Sequence, residues 1–295
     1  MKALHDLQPA WKLTTLCRVL SVPRSTLYYQ TEKAEDSAVC SAISTVAGDW
    51  PRYGSERITA QLRREGFTFH GKPVGERRVR SLMRQLGLLG KPRKRRIRTT
   101  DSNHTHPRFE NLVKDLRVTR PNQVWVSDIT YIALGSGFVY LAVIMDVFTR
   151  SIRGWSLSRG LDGGLTLTAL KRALQGGRPE IHHSDQGKQY AATEYVELLL
   201  EHGAAVSMAA TGCPEQNGYA ERLMRTIKEE HVSLTEYAGF PDALSQIGQF
   251  LSDVYQKKRI HSSLGYLTPE EFETDCRSGK PTTSAKPEDR KGTGM

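Results

Sequence analysis

Residues 123–132 read QVWVSDITYI, residues 138–148 FVYLAVIMDVF and residues 151–158 SIRGWSLS. All three stretches are rich in Val, Ile, Tyr and Trp, and Gly135-Ser136-Gly137 breaks the first from the second, so they read as consecutive strands. Downstream the hydrophobic period changes. The spacing predicts a helix around 165–174, a short strand at IHHSD (181–185), a helix over 193–202 and a strand at AVSMAA (205–210). Three β elements followed by an αβαβα series imply the α/β class, a mixed sheet flanked by helices. A last amphipathic helix is expected at 242–255. The polar, Pro- and Gly-bearing tail over 277–295 is expected to be disordered.

Upstream, the composition is different in kind. The chain has 295 residues with 42 Lys+Arg against 32 Asp+Glu, a formal charge of +10. Residues 1–120 carry 24 basic and 11 acidic residues, a net of +13, whereas residues 121–295 carry a net of −3. Such asymmetry points to a basic nucleic-acid-binding part joined to something else. No apolar run reaches the roughly 18–20 residues of a membrane span, and the first residues lack an apolar signal core. A cytoplasmic, nucleoid-associated protein with no membrane partner is therefore expected. Cys17, Cys40, Cys213 and Cys276 form no C-x-x-C pair, which disfavours a zinc module and a disulfide framework.

The basic half reads as small helical units. Leu13, Leu16, Cys17 and Leu20 recur at i, i+3, i+4, i+7, and SVPRSTLYY then offers Ser21 as a cap and Pro23 for a first turn. Helix, turn and short helix is the helix-turn-helix arrangement, with Arg24, Ser25 and Tyr28 facing DNA. In a second unit Val79, Leu82, Met83 and Leu86 repeat the apolar stripe, and Arg77, Arg80 and Arg84 lie opposite it. The run KPRKRRIRTT then places Lys91, Arg93, Lys94, Arg95, Arg96 and Arg98 in a segment too charged to pack as core, suited to tracking phosphates. The domain reading is thus a tandem, all-helical helix-turn-helix region over 1–90 and a basic linker over 91–120. An α/β domain over 121–235, a C-terminal helical extension over 236–276 and the tail complete it.

Three carboxylates stand out by position. Asp128 interrupts an apolar strand and Asp185 ends the IHHSD strand; buried acids are costly unless paired, hydrogen-bonded or metal-bound. In TGCPEQNGYAERLMRTIKEE a Gly/Pro/Asn loop opens a helix at about Gly218, with Tyr219, Ala220, Leu223, Met224 and Ile227 as its apolar stripe. Glu221, Arg225 and Lys228 share the other face at i, i+4, i+7, which can equally be an ordinary surface ion pair. Asp146, at the end of the second strand, is a plausible fourth carboxylate, and Glu215 a rival to Glu221 that precedes the helix.

WVSDITY, HSDQGKQY and NGYAERLMRTIKEE, with 35 residues between Asp185 and Glu221, resemble the Asp-Asp-Glu core of bacterial insertion-sequence transposases and retroviral integrases. RIHSSLGYLTPEEF resembles that family's C-terminal signature. LCRVLSVPRSTLYY and YGSERITAQLRREG resemble the helix-turn-helix region of OrfB-type transposases. The resemblance spans roughly residues 10–275 in the family's order. It implies an RNase H-like integrase catalytic core and a DNA transposase that binds transposon ends, cleaves a 3′ end and transfers the strand. Asp128, Asp185 and Glu221 then serve as catalytic residues and ligands of two Mg²⁺ ions, for which Mn²⁺ can substitute. Lys228 and Arg225 hold the transposon end, and His183, two residues before Asp185, is a candidate support beside the metals. The implied partners are duplex DNA (ends and target), further copies of the chain on that DNA, and an OrfA-type partner or fusion. The run before Glu221 departs from many relatives, with Asn217-Gly218-Tyr219-Ala220 in place of a Tyr-Asp-Asn-Ala type.

Overall fold

The computed structural model describes residues 12–19, 21, 23, 34–69, 71–89, 109–135, 137–210 and 212–280. The three consecutive strand readings are realised as β3 (Val124–Leu134), β4 (Gly137–Asp146) and β5 (Ile152–Ser158), preceded by a two-stranded ribbon, β1 (Thr68–Phe69) and β2 (Lys72–Pro73). Strand β3 pairs antiparallel with β4 from Trp125↔Asp146 to Leu134↔Gly137, so the two strands form a hairpin with the glycine-flanked break at its end. After β5 the chain crosses over through α5 (Gly163–Gln175) to β6 (Ile181–Ser184), and through α6 (Thr193–Glu201) to β7 (Ala205–Met208). Both crossovers deliver parallel strands, giving the order β5-β4-β3-β6-β7. The mixed sheet flanked by helices expected from the sequence is the observed one.

Both faces of this sheet are buried, which explains why FVYLAVIMDVF reads as a continuous apolar run rather than an alternating one. Val126, Leu141, Val143 and Met145 point to one face, where α7 (Gly218–Glu230) packs Ala220, Leu223, Met224 and Ile227 against them. Trp125, Ala142 and Ile144 point to the other, under α5 and α6. Helix α8 (Phe240–Gln249) continues as a π-helical turn over Phe250–Tyr255, so the expected 242–255 helix is found with a widened last turn that seats Phe250, Leu251 and Tyr255 in the α7 face. Helix α9 (Pro269–Arg277) begins with a capping box between Thr268 and Glu271.

Gly154 on β5 is where the sheet meets α5 most closely. A Cβ there would collide with the Ala169 carbonyl oxygen and lie 2.7 Å from the Ala173 nitrogen, both backbone atoms. Gly154→Ala is therefore expected to cost about 3 kcal/mol through overpacking. That lowers the melting temperature by roughly 6–12 °C, checked by calorimetry or circular dichroism.

The N-terminal part forms a separate small core. Helices α1 (Leu13–Val19), α2 (Ala34–Asp49), α3 (Ser55–Arg64) and α4 (Glu76–Gln85) precede the sheet, and Ile43, Ile58, Leu62, Val79 and Met83 are fully enclosed among the last three. The α4 stripe is the expected one except at its end. Leu86 caps the helix and is 39% exposed, because the chain turns away at Gly87 with φ of 69°. Among the described residues no helix is long and apolar enough to cross a membrane.

Candidate active site

Strands β3 and β6 run parallel with Val126 opposite His183. Asp128 lies two residues further along β3 and Asp185 just past the end of β6, and the two are close enough for the charge of Asp185 to act on Asp128. By the alternation of β3, Asp128 shares the face of Val124 and Val126, the face covered by α7. Glu221 sits in the first turn of α7, next to the buried Ala220 and itself exposed. A strand, a strand end and a helix start thus converge on one edge of the sheet.

Electrostatics register the convergence. Asp128 is pushed up to about 7, first by burial, then by the negative charge of Asp185; its own bond from the Ile129 N–H opposes this, Glu221 adds to the rise and Lys228 offsets part of it. Lys228 also lies 4.6 Å from the centre of the Tyr131 ring, and Tyr131 meets Phe138 edge-on. Among the described residues, no three His, Cys, Asp or Glu side chains close around a single point as a ready cage for one ion.

The loop before α7 is pinned from below. Asn217, 4% exposed, donates its side-chain amide to the Ser127 carbonyl at 3.1 Å, tying the helix that carries Glu221 to the residue before Asp128. His183 is fully buried, with Nδ1 on the Ser207 hydroxyl at 2.8 Å and Nε2 on the Gln216 carbonyl at 3.1 Å. Burial lowers it to about 4 against the raising effect of the Gln216 bond, so the ring is neutral at pH 7. Both ring nitrogens are engaged, so neither is left to bond a carboxylate; His183 pins the loop rather than flanking Asp185. Sequence reasoning missed Asn217 and Gln216, whose Oε1 accepts from Asn111 and from the Ala210 N–H. The only signal was polar residues directly before a helix, which reads as an ordinary cap.

Other candidates find different places. Asp146 is completely buried. Its Oδ1 accepts from the Phe148 and Thr149 N–H groups, and its Oδ2 from the Asn122 N–H and Arg153, a structural network on the far side of the β4 end. Tyr219, expected in the apolar stripe, is 50% exposed and carries the Arg150 guanidinium over its ring at 4.4 Å. It sits at the very start of α7, before the helix beds onto the sheet. Arg225 is exposed on the Glu221 face and Lys228 half-buried. On α4, Arg77, Arg80 and Arg84 are all exposed opposite the core stripe, but Arg80 is held by Glu76 at 2.6 Å and by Ser55. Arg24, Ser25, Tyr28, Lys91, Arg93, Lys94, Arg95, Arg96 and Arg98 lie outside the described residues.

Comparison with known proteins bears on the family and on the order of its domains. Two family models, both described as an integrase core domain, match residues 118–214 and 202–269, and an HTH-like domain matches residues 35–96. The transposase for insertion sequence element IS904 of Lactococcus lactis is 34% identical over 75% of this chain and 87% of its own length. The transposase InsF for insertion sequence IS3A of Escherichia coli is 32% identical over 90% of this chain and 95% of its own. Among solved structures, the HTLV-2 integrase catalytic core domain in complex with magnesium is 19% identical, with a TM-score of 0.44 over 53% of this chain and 99% of its own.

Proposed function

The chain belongs to the bacterial insertion-sequence transposases of the DDE and integrase superfamily, and from that premise we propose that Asp128, Asp185 and Glu221 carry out Mg²⁺-dependent 3′-end cleavage and strand transfer at the ends of its element. The chain is a DDE polynucleotidyl transferase of DNA transposition, with an HTH-like domain before an integrase core domain. What supports the finer reading is that the charges of Asp185, just past the β6 end, and of Glu221, at the start of α7, both act on Asp128.

The residues suit a divalent ion. Three carboxylates supply hard oxygen donors of the kind Mg²⁺ prefers, and the upward shift of Asp128, set first by burial and then by the charge of Asp185 with a smaller part from Glu221, places acidic groups around it. Asp128 would hold both ions, Asp185 completing one site and Glu221 the other. With two carboxylates per ion no closed cage of three is needed, because waters and substrate phosphates fill the remaining positions. Two such ions, once bound, supply Lewis-acid stabilisation of the attacking and leaving oxygens, and Mn²⁺ would substitute through the same oxygen donors. The chain's own part is orientation: Asn217 and His183 hold α7 in register with β3 and β6, while Lys228 and Arg225 grip the phosphates beside the scissile bond.

Affinity comes from elsewhere on the chain. The exposed α4 arginines and the basic 91–98 segment neutralise phosphates of end and target DNA. Arg77→Ala and Arg84→Ala are each expected to weaken binding across all sequences and to reduce the slope of log affinity against log salt by about 1. Arg80→Ala changes the slope less, since Glu76 already neutralises it. Titrating a labelled end duplex at several salt concentrations checks this.

Pairing two ends calls for more than one copy of the chain on DNA, in the cytoplasm and at the nucleoid, and an OrfA-type partner or fusion fits the OrfB-type organisation. The test is incubation of the full chain, alone and with an OrfA-type segment fused upstream, with duplexes carrying the element's ends. Nicked and joined strands that require Mg²⁺ and vanish with chelator are the expected result. Tight binding without any cut strand in either form would sink the proposal.

A further inference from the structure

The stretch RIHSSLGYLTPEEF (259–272) has no part in the chemistry above, yet it bonds the DNA-binding unit to the catalytic helix. Arg259 is 2% exposed and donates to Glu230, the last residue of α7, through Nε at 2.6 Å and Nη2 at 2.7 Å. From the other side Arg57 of α3 reaches the same carboxylate at 3.6 Å, and Arg52 donates to the Glu229 carbonyl. The next residue, Ile260, is 1% exposed inside the α2–α4 core, and its N–H donates to the Tyr53 hydroxyl. Further along, Arg64 of α3 binds the Tyr266 carbonyl and, at 2.6 Å, Glu271. One end of α7 therefore carries Glu221, and the other, about 14 Å away along a rigid helix, is clamped to the HTH-like domain.

We propose that Arg259 is a positioning residue: its fork on Glu230 locks α7 to the DNA-binding unit, so that DNA gripped by α4 lies in fixed register with Glu221. The inference rests on the transposase reading above and adds to it a function for the C-terminal signature. A guanidinium is required because a bidentate pair fixes angle as well as distance. The substitution Arg259→Lys keeps the charge and loses the angle. Arg57, Arg150 and Arg222 also act electrostatically on His261 beside Arg259, so cations crowd the junction, and Glu230 is the carboxylate that Arg259 and Arg57 share.

The test uses the full chain and Arg259→Lys, with Arg57→Gln as a second variant that loosens the same junction from α3 should the first not fold. Nitroxides on Lys72→Cys in the ribbon and Lys171→Cys on α5, both exposed, in a chain with its native cysteines replaced by serine, report the distance between the units. The same proteins are assayed on an end duplex for affinity, nicking rate at saturating DNA and nick position. The expected result is a broadened distance distribution, unchanged affinity, a nicking rate lowered by about 10²-fold, as misplacement by an ångström causes, and nicks scattered over neighbouring phosphates. A distribution as narrow as the wild type's overturns the proposal, and so does a broad one with wild-type rate and position. Should the wild type bind but nick nothing, the fault lies in the transposition steps, and the distance comparison still decides whether the lock exists.

Discussion

Glu221→Gln is expected to abolish strand cleavage and joining while leaving end-duplex binding within a few-fold of wild type. The substitution is isosteric and removes one charge, so α7 still beds Ala220, Leu223 and Ile227 on the sheet. On the proposed reading, what is lost is a hard anionic oxygen offered to an ion beside Asp128. Removing a single preorganised electrostatic group from an active site costs on the order of 10³-fold in rate. Binding is expected to be spared because the proposal assigns the affinity to α4 and the basic segment. Glu215→Gln is the control. Glu215 lies in the turn Pro214–Asn217 ahead of the helix, so its variant should cleave within a few-fold of wild type. Gel assays of nicked and joined strands measure both. Undiminished cleavage by Glu221→Gln, or its loss in Glu215→Gln alone, would move the third carboxylate.

Glu230→Ala is expected to give the largest loss of stability among single substitutions at the junction. Burial by itself disfavours the charged form of Arg259, but the hydrogen bonds and attraction of Glu230 outweigh it and hold the guanidinium above its ordinary value. Deleting the carboxylate strands a buried cation whose nearest charged neighbours include Arg57. Removing one partner of a buried pair costs about 3–5 kcal/mol, or roughly 6–20 °C in melting temperature. The pair Arg259→Met with Glu230→Leu should cost less than Glu230→Ala alone, because no charge is left without its counterpart. Thermal melts of the three proteins decide it, and equal losses for the single and the double variant would contradict the account.

Local pattern was enough for much of this architecture. The β3, β4 and β5 strands were legible because their residue types and the glycine-flanked turn are properties of neighbouring positions, and the 35-residue interval with the motif at Glu221 carried the family. The exceptions mark where local pattern ends. Tyr219 matched the apolar spacing of α7, but that spacing says nothing about where the helix first touches the sheet. His183 matched the face of Asp185, yet its ring is committed to Ser207 and Gln216 on other segments. Asn217 was one polar residue of a Gly/Pro/Asn loop and is a buried tie to β3.

The sequence by itself determined the class of the fold, the basic character of its first part and the three acids worth watching, since each follows from composition, period or spacing along the chain. Only the tertiary structure decided that Asp128 and Asp185 are neighbours, because a parallel register joins strands more than fifty residues apart that no local pattern relates. It alone decided that Arg259 and Glu230 meet. A buried ion pair forms only where packing has already excluded water, and packing is the property that a linear sequence does not display.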